Sequence, residues 1–177
     1  MPRAVSIRRS GCRLGFQRMA LVCVALGSGC GYSAGYRVPP GVHTVAVPIF
    51  NNATFPLRRE IEYDLTNALR KEILTRTSLR VVDSGSADMA IHGTVREFRE
   101  RVVAEGRVDQ KIESSISIEV EVFVEDYLSS KQWREHVTVR EPLSIQIGET
   151  FDSARGRAIG NLAEKILEQV EYWESES

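Results

Sequence analysis

Cysteine is nearly absent from this 177-residue sequence: there are three, Cys12, Cys23 and Cys30, and none follows Cys30. From residue 31 onward, disulfides and Cys-x-x-Cys metal sites are therefore excluded. Histidine is as scarce, with His43, His92 and His136 at spacings that match no metal-binding motif. No Gly-x-Ser-x-Gly, Walker A or Gly-x-Gly-x-x-Gly pattern occurs, so nucleophile-elbow and phosphate-loop chemistry lose their usual signatures. Gly156 and Gly160 fall inside an apolar-periodic stretch and fit close helix packing. Glu119 and Glu121, two apart on one strand face, fit a solvated surface better than a catalytic carboxylate pair. The expectation is a protein with no catalytic residues, no metal and no cofactor.

Acidic residues are missing altogether before Glu60, while the first 29 residues carry five arginines, Arg3, Arg8, Arg9, Arg13 and Arg18. The overall balance of 23 basic and 24 acidic groups, net −1, therefore averages two unlike parts. Without the five leading arginines, 18 basic groups face 24 acidic ones, a net of −6. That acidity gives no electrostatic case for nucleic-acid binding.

Long apolar runs are also lacking. Met19 to Leu26 is about 8 residues, far below the roughly 20 a membrane-spanning helix needs. Basic residues, a short apolar run and then Gly27-Ser-Gly-Cys30 follow the layout of a secretory signal with small residues at its cut. Leu26-Gly-Ser-Gly-Cys30 resembles a bacterial lipoprotein lipobox, although Leu26 stands four residues before the cysteine instead of three. By that resemblance, residues 1–29 are a signal peptide and Cys30 carries the lipid. Two or more acyl chains give stable membrane attachment where one gives only marginal binding. Gly31, where an aspartate would favour inner-membrane retention, points to the outer membrane. Residues 30–42, rich in glycine and proline, are expected to be a flexible tether.

The remainder, residues 43–177, reads as one domain. His43–Phe50 suits a strand placed at an edge or ending near Pro48. Asn51–Thr54 suits a turn that can also cap a helix, and Pro56 suits the first turn of that helix. Between Leu57 and Arg76, apolar residues at Leu57, Ile61, Leu65, Ala68, Leu69, Ile73 and Leu74 predict an amphipathic helix. Leu79–Val82 is a brief strand. Met89, Ile91, Gly93 and Val95 alternate with polar residues until the phase slips near Phe98, which suggests a bulge. Residues 112–126 alternate most clearly, with Ile116, Ile118, Val120, Val122 and Val124 on one face and Ser115, Ser117, Glu119, Glu121 and Glu125 on the other. Trp133, Val137 and Val139 continue the pattern after a turn at 129–132. Thr150 or Asp152 can cap a last helix striped by Ala158, Ile159, Leu162, Ala163, Ile166, Leu167 and Val170. Strands wet on one side and two amphipathic helices predict an α+β fold: two helices on one face of a roughly four-stranded, mixed or antiparallel sheet.

Gly29-Cys-Gly-Tyr32, Thr44-Val-Ala-Val-Pro-Ile-Phe-Asn-Asn52, Leu65-Thr-Asn-Ala-Leu-Arg-Lys-Glu-Ile73 and Ala87-Asp-Met-Ala-Ile-His-Gly-Thr-Val95 together resemble the LPS-assembly lipoprotein LptE family. The resemblance implies an outer-membrane lipoprotein that sits within and stabilises an LptD-like β-barrel and helps deliver lipopolysaccharide. Val-Ala-Val-Pro-Ile-Phe-Asn-Asn also resembles the first strand of TolB amino-terminal domains and of CsgG- and LpoB-like lipoproteins. The alternative is thus a regulatory lipoprotein acting on an envelope enzyme such as a peptidoglycan synthase. Arg96, Arg99, Arg101, Arg107 and Lys111, interleaved with Glu97, Glu100, Glu105 and Asp109, are the candidates for contact with lipopolysaccharide phosphates, which guanidinium groups grip in a fork. A solvated hairpin of mixed charge accounts for the same residues.

Overall fold

Alternation along three long strands organises the molecule, a computed structural model that describes residues 36–103, 113–143 and 149–176. β4 (Met89–Val103), β5 (Glu113–Asp126) and β6 (Lys131–Leu143) form an antiparallel meander. Against β4 lie three short parallel strands: β1 (Thr44–Ala46), β2 (Asn51–Asn52) and, beyond β1, β3 (Arg80–Val81). The order β3-β1-β4-β5-β6, with β2 also on β4, makes a mixed sheet of six strands where roughly four were expected. β3 falls within the brief strand expected at Leu79–Val82, and the strand not expected is β2, a two-residue pairing at Asn51–Asn52. β1 ends before Pro48, as anticipated, but it is interior, with β3 taking the edge.

One face of the sheet is covered by α1 (Ile61–Arg76) and α2 (Phe151–Glu176), the α+β arrangement expected. Ile116, Ile118, Val120, Val122 and Val124 of β5 are fully buried under Leu65, Leu69, Ile73, Leu162 and Ile166 of the helices. Asp64 pairs with Arg155 at 2.7 Å and Glu164 with Arg76 at 3.0 Å, tying the helices together near both ends. Thr150 caps α2, accepting from Ser153 N–H at 3.2 Å.

The helix expected from Leu57 starts four residues later, after Glu60 in a left-handed conformation (φ 70°). Leu57 consequently lies before the helix and is exposed; Leu74, within it, is exposed too, and the buried face of α1 contains Thr66 instead. Thr66 Oγ1 accepts the N–H of Phe50 at 3.0 Å and donates to Glu62 C=O at 2.6 Å. This fixes Phe50 above Gly93, where an added Cβ would stand 2.1 Å from the ring. Asn51 and Asn52, read as a turn, instead pair with Thr94 and Val95. The Asn52 side chain then organises the next loop, donating to Arg58 C=O at 2.6 Å and accepting from Thr54 at 2.8 and 3.1 Å.

The start of β1 is clasped by Asp88. One of its carboxylate oxygens accepts the N–H groups of His43 and Thr44, both at 2.9 Å. The His43 bond, followed by the contributions from Thr44, holds this carboxyl below the usual aspartate range. The preceding residues 36–42, part of the segment expected as tether, lie along the domain: Val42 joins the core, Tyr36 and Val38 pack against it, and Tyr36 N–H donates to Arg76 C=O at 3.1 Å. Free edges are few. Along the second half of β6, the unpaired carbonyls of Thr138 and Pro142 accept from Lys165 at 2.8 Å and Arg157 at 3.1 Å, both from α2.

Candidate functional site: the open face of the sheet

Among the described residues, nothing layers over the face of β4, β5 and β6 away from the helices, and the polar half of each strand's alternation projects from it. The bulge at Val95/Glu97 decides what β4 contributes. Before it, odd-numbered residues turn to the helices; after it, Phe98 and Glu100 do, opposite buried Ile118 and Ile116. The one-residue slip is what carries Arg99 and Arg101 to the open face, opposite Ser117 and Ser115.

At the centre stands Glu121. Its Oε2 accepts from both Nε (2.9 Å) and Nη2 of Arg96, and its Oε1 accepts from Arg134 Nη1 at 3.0 Å, so one carboxylate bridges three strands. The hydrogen bonds from Arg96 outweigh burial and hold the Glu121 carboxyl below the ordinary glutamate range. Arg134 also lies over the Phe123 ring, 5.1 Å from its centroid, within cation–π range. On either side, His136 meets Glu119 at 3.2 Å and His92 approaches Glu125 at 3.8 Å. A depression of about 230 Å³ lies beside Arg96, Glu121, Phe123 and Arg134 and reaches Asn51 and His92.

Of the five basic residues singled out from the sequence, Arg96, Arg99 and Arg101 share this face, while Arg107 and Lys111 lie outside the described residues. Arg96 is bound to Glu121, Arg99 to Glu97, and Arg101 is exposed. Glu100 points the other way and pairs with Arg58 at 3.1 Å. Cys30 also lies outside the described residues. Sequence reasoning missed Arg134 and Phe123, although an aromatic at the parity of Ser117, Glu119 and Glu121 was a visible departure from the pattern. Among the described residues, no group of three or more His, Cys, Asp or Glu side chains is placed to hold a metal ion, and no helix is long and apolar enough to cross a membrane.

A sheet with one side filled by its own helices and the other a balanced lattice of arginine, glutamate and histidine defines a surface-presenting α+β domain, suited to recognition over an area. Within that class, the chain belongs to the LptE family, described as lipopolysaccharide-assembly, whose family model matches residues 42–170. Among solved structures, a hypothetical protein from Chlamydia trachomatis is similar in fold at 12% identity, covering 77% of this chain and 99% of that one with a TM-score of 0.50. A minor lipoprotein from Acinetobacter baumannii (15% identity, 74% and 94% covered, TM-score 0.46) and a putative lipoprotein from Caulobacter crescentus (18%, 71% and 92%, 0.43) also match. No curated protein matches the chain.

Proposed function

We infer that this protein is an outer-membrane lipoprotein that docks its domain in the polar lumen of an LptD-like β-barrel and assists delivery of lipopolysaccharide to the outer membrane. Residues 1–29 are a signal peptide on this reading, Cys30 carries the lipid, and the action is one of shape, with no bond made or broken.

Family membership gives the process. The open face is the observation that supports the mode of action. Its three strands are 15, 14 and 13 residues long, about 45 Å at ~3.3 Å per residue. That exceeds the ~25 Å height of a barrel's apolar band, and barrel interiors are polar, as this face is. Cross-strand ion pairs leave it neither strongly cationic nor apolar, which suits a wet protein wall better than bulk capture of anionic glycolipid. Arg96, Arg99 and Arg101 are the candidates on this face for local contact with lipopolysaccharide phosphate, and Arg107 and Lys111 are candidates from the sequence alone.

The test is affinity purification of the tagged, acylated chain from detergent-solubilised envelopes. A large barrel protein should accompany it, and depletion should reduce surface lipopolysaccharide. Recovery of acylated protein without a barrel refutes the docking; a cell-wall defect with normal lipopolysaccharide would favour the regulatory alternative. Cys30→Ala should shift the protein out of the membrane fraction.

A further inference from the structure

Two pairs of apolar side chains are exposed at opposite ends of the domain. At one end, in the loop before α1, stand Phe55 (99% exposed) and Leu57. At the other, Tyr127 and Leu128 (47% and 58% exposed) form the tip of the β5–β6 hairpin. Hairpin tips are ordinarily built from polar turn residues, so two adjacent apolar ones call for a partner. This tip is also rigid. Oδ1 of Asp126 accepts the N–H groups of Leu128 at 2.8 Å and Ser129 at 3.2 Å, and Oδ2 accepts the Ser129 hydroxyl at 2.5 Å. Ser130 closes the turn with φ 56°. Tyr127 N–H donates to Asp88 C=O at 2.9 Å, which ties the backbone of the tip to the residue just before β4.

What covers the tip follows from where the polypeptide joins the domain. Tyr36 is bonded to the last turn of α1; farther along the same segment a Cβ on Gly41 would stand 3.9 Å from Leu128 Cδ1, and Asp88 joins the N–H groups of His43 and Tyr127, so the segment enters the domain at the hairpin tip. Six peptide steps separate Cys30 from Tyr36, a reach of about 20 Å at ~3.3 to 3.6 Å per residue. An acylated Cys30 therefore keeps this end of the domain close to the bilayer and the Phe55 end remote from it. Tyrosine and leucine beside a lysine, Lys131, suit the boundary between headgroups and acyl chains, where amphipathic side chains partition.

We propose that, before the domain docks in a barrel, the Tyr127–Leu128 hairpin tip inserts into the phospholipid surface that holds the lipid anchor, giving the undocked domain a second attachment point and a fixed orientation. The inference rests on acylation of Cys30, and the experiment separates the two. The acylated full-length chain has no other thiol once residues 1–29 are removed, so Leu128→Cys, Tyr127→Cys and Phe55→Cys can each carry a single environment-sensitive fluorophore. These proteins are reconstituted into phosphatidylethanolamine–phosphatidylglycerol vesicles with and without nitroxide lipids, and acylation is read by mass spectrometry. The expected result is blue-shifted emission, strongly quenched by the nitroxides, at 128 and 127, with water-like, unquenched emission at 55. Acylated protein with all three probes in water, or with position 55 in the lipid instead, overturns the proposal while leaving the anchor intact. Absence of the acyl mass overturns both.

Discussion

Gly93 is the position where the fold is least able to accept a side chain. Its backbone is not in the left-handed region; the constraint is the Phe50 ring, whose Cε2 and Cδ2 would lie 2.1 and 2.2 Å from an added Cβ, where ordinary contact begins at 3.4 Å. To admit one methyl group, the ring must retreat by roughly 1.3 Å, but it is 2% exposed and its backbone is held to Thr66. Overpacking of this kind costs about 1 to 3 kcal/mol, and the lack of free space places Gly93→Ala near the upper end. At roughly 3 °C per kcal/mol for a domain of this size, Tm should fall by about 9 °C. Phe50→Ala alone should cost ~3 to 5 kcal/mol through the cavity it leaves. The double variant Phe50→Ala/Gly93→Ala should be no less stable than Phe50→Ala, because the new methyl group then occupies vacated space, giving a coupling of about 3 kcal/mol. Urea unfolding followed by the fluorescence of Trp133 and Trp173, in the Cys30→Ser chain, measures all four corners. Additive losses, or a Gly93→Ala variant as stable as the parent, would refute the packing account.

Three further outcomes are expected. Thr66→Val should strand the buried N–H of Phe50 and lower stability by about 1 to 3 kcal/mol in the same assay, whereas Thr66→Ser should be milder because it keeps the acceptor. The depressed carboxyls of Asp88, Glu121 and Asp126 contribute stability that is present above the ordinary carboxylate range and lost as pH falls through their folded-state values, so the urea midpoint should drop steeply below about pH 4. Asp88→Asn should lower the midpoint at neutral pH and flatten that acid limb; an unchanged limb would mean that the clasp does not titrate with folding. Arg96→Ala, on the half-exposed open face, should change stability by no more than about 1 kcal/mol yet weaken co-purification of a barrel, and loss of folding instead would show that the face is structural.

The long elements were legible in the sequence because alternation and helical spacing repeat often enough to be read. β5 has five aliphatic residues at one parity, and the slip at Phe98 announced the bulge. β1 and β3 were read as strands within longer stretches, but β2 was not, since two residues hold a single period of strand alternation; Asn51 and Asn52 look like a turn until β4 lies beside them. Leu57 fits the helical period but falls outside the helix, because the start of α1 is set by Glu60 and the Asn52-centred loop rather than by apolar spacing; Leu74 fits the period and lies in the helix, yet is exposed. On the open face, the arginines of β4 were readable as a cluster. Their partners were not: Glu121 is 25 residues from Arg96 and 13 from Arg134, and only strand register brings the three together.

The clasp at the start of β1 also determines how the domain bears load. A pull arriving through Tyr36 reaches β1, which runs parallel to its neighbours β3 and β4, by way of the Asp88 carboxylate, which grips the amides of His43, just before the strand, and of Thr44, its first residue. The bonds on both sides of the strand and the clasp are then loaded together in shear, rather than opened one after another as a zipper. A strand of only three residues, weak by its length, is thereby placed where its few bonds resist traction as a set. Of the antiparallel meander that presents the open face, only β4 shares this load with β1; β5 and β6 lie beyond it, on the far side of β4.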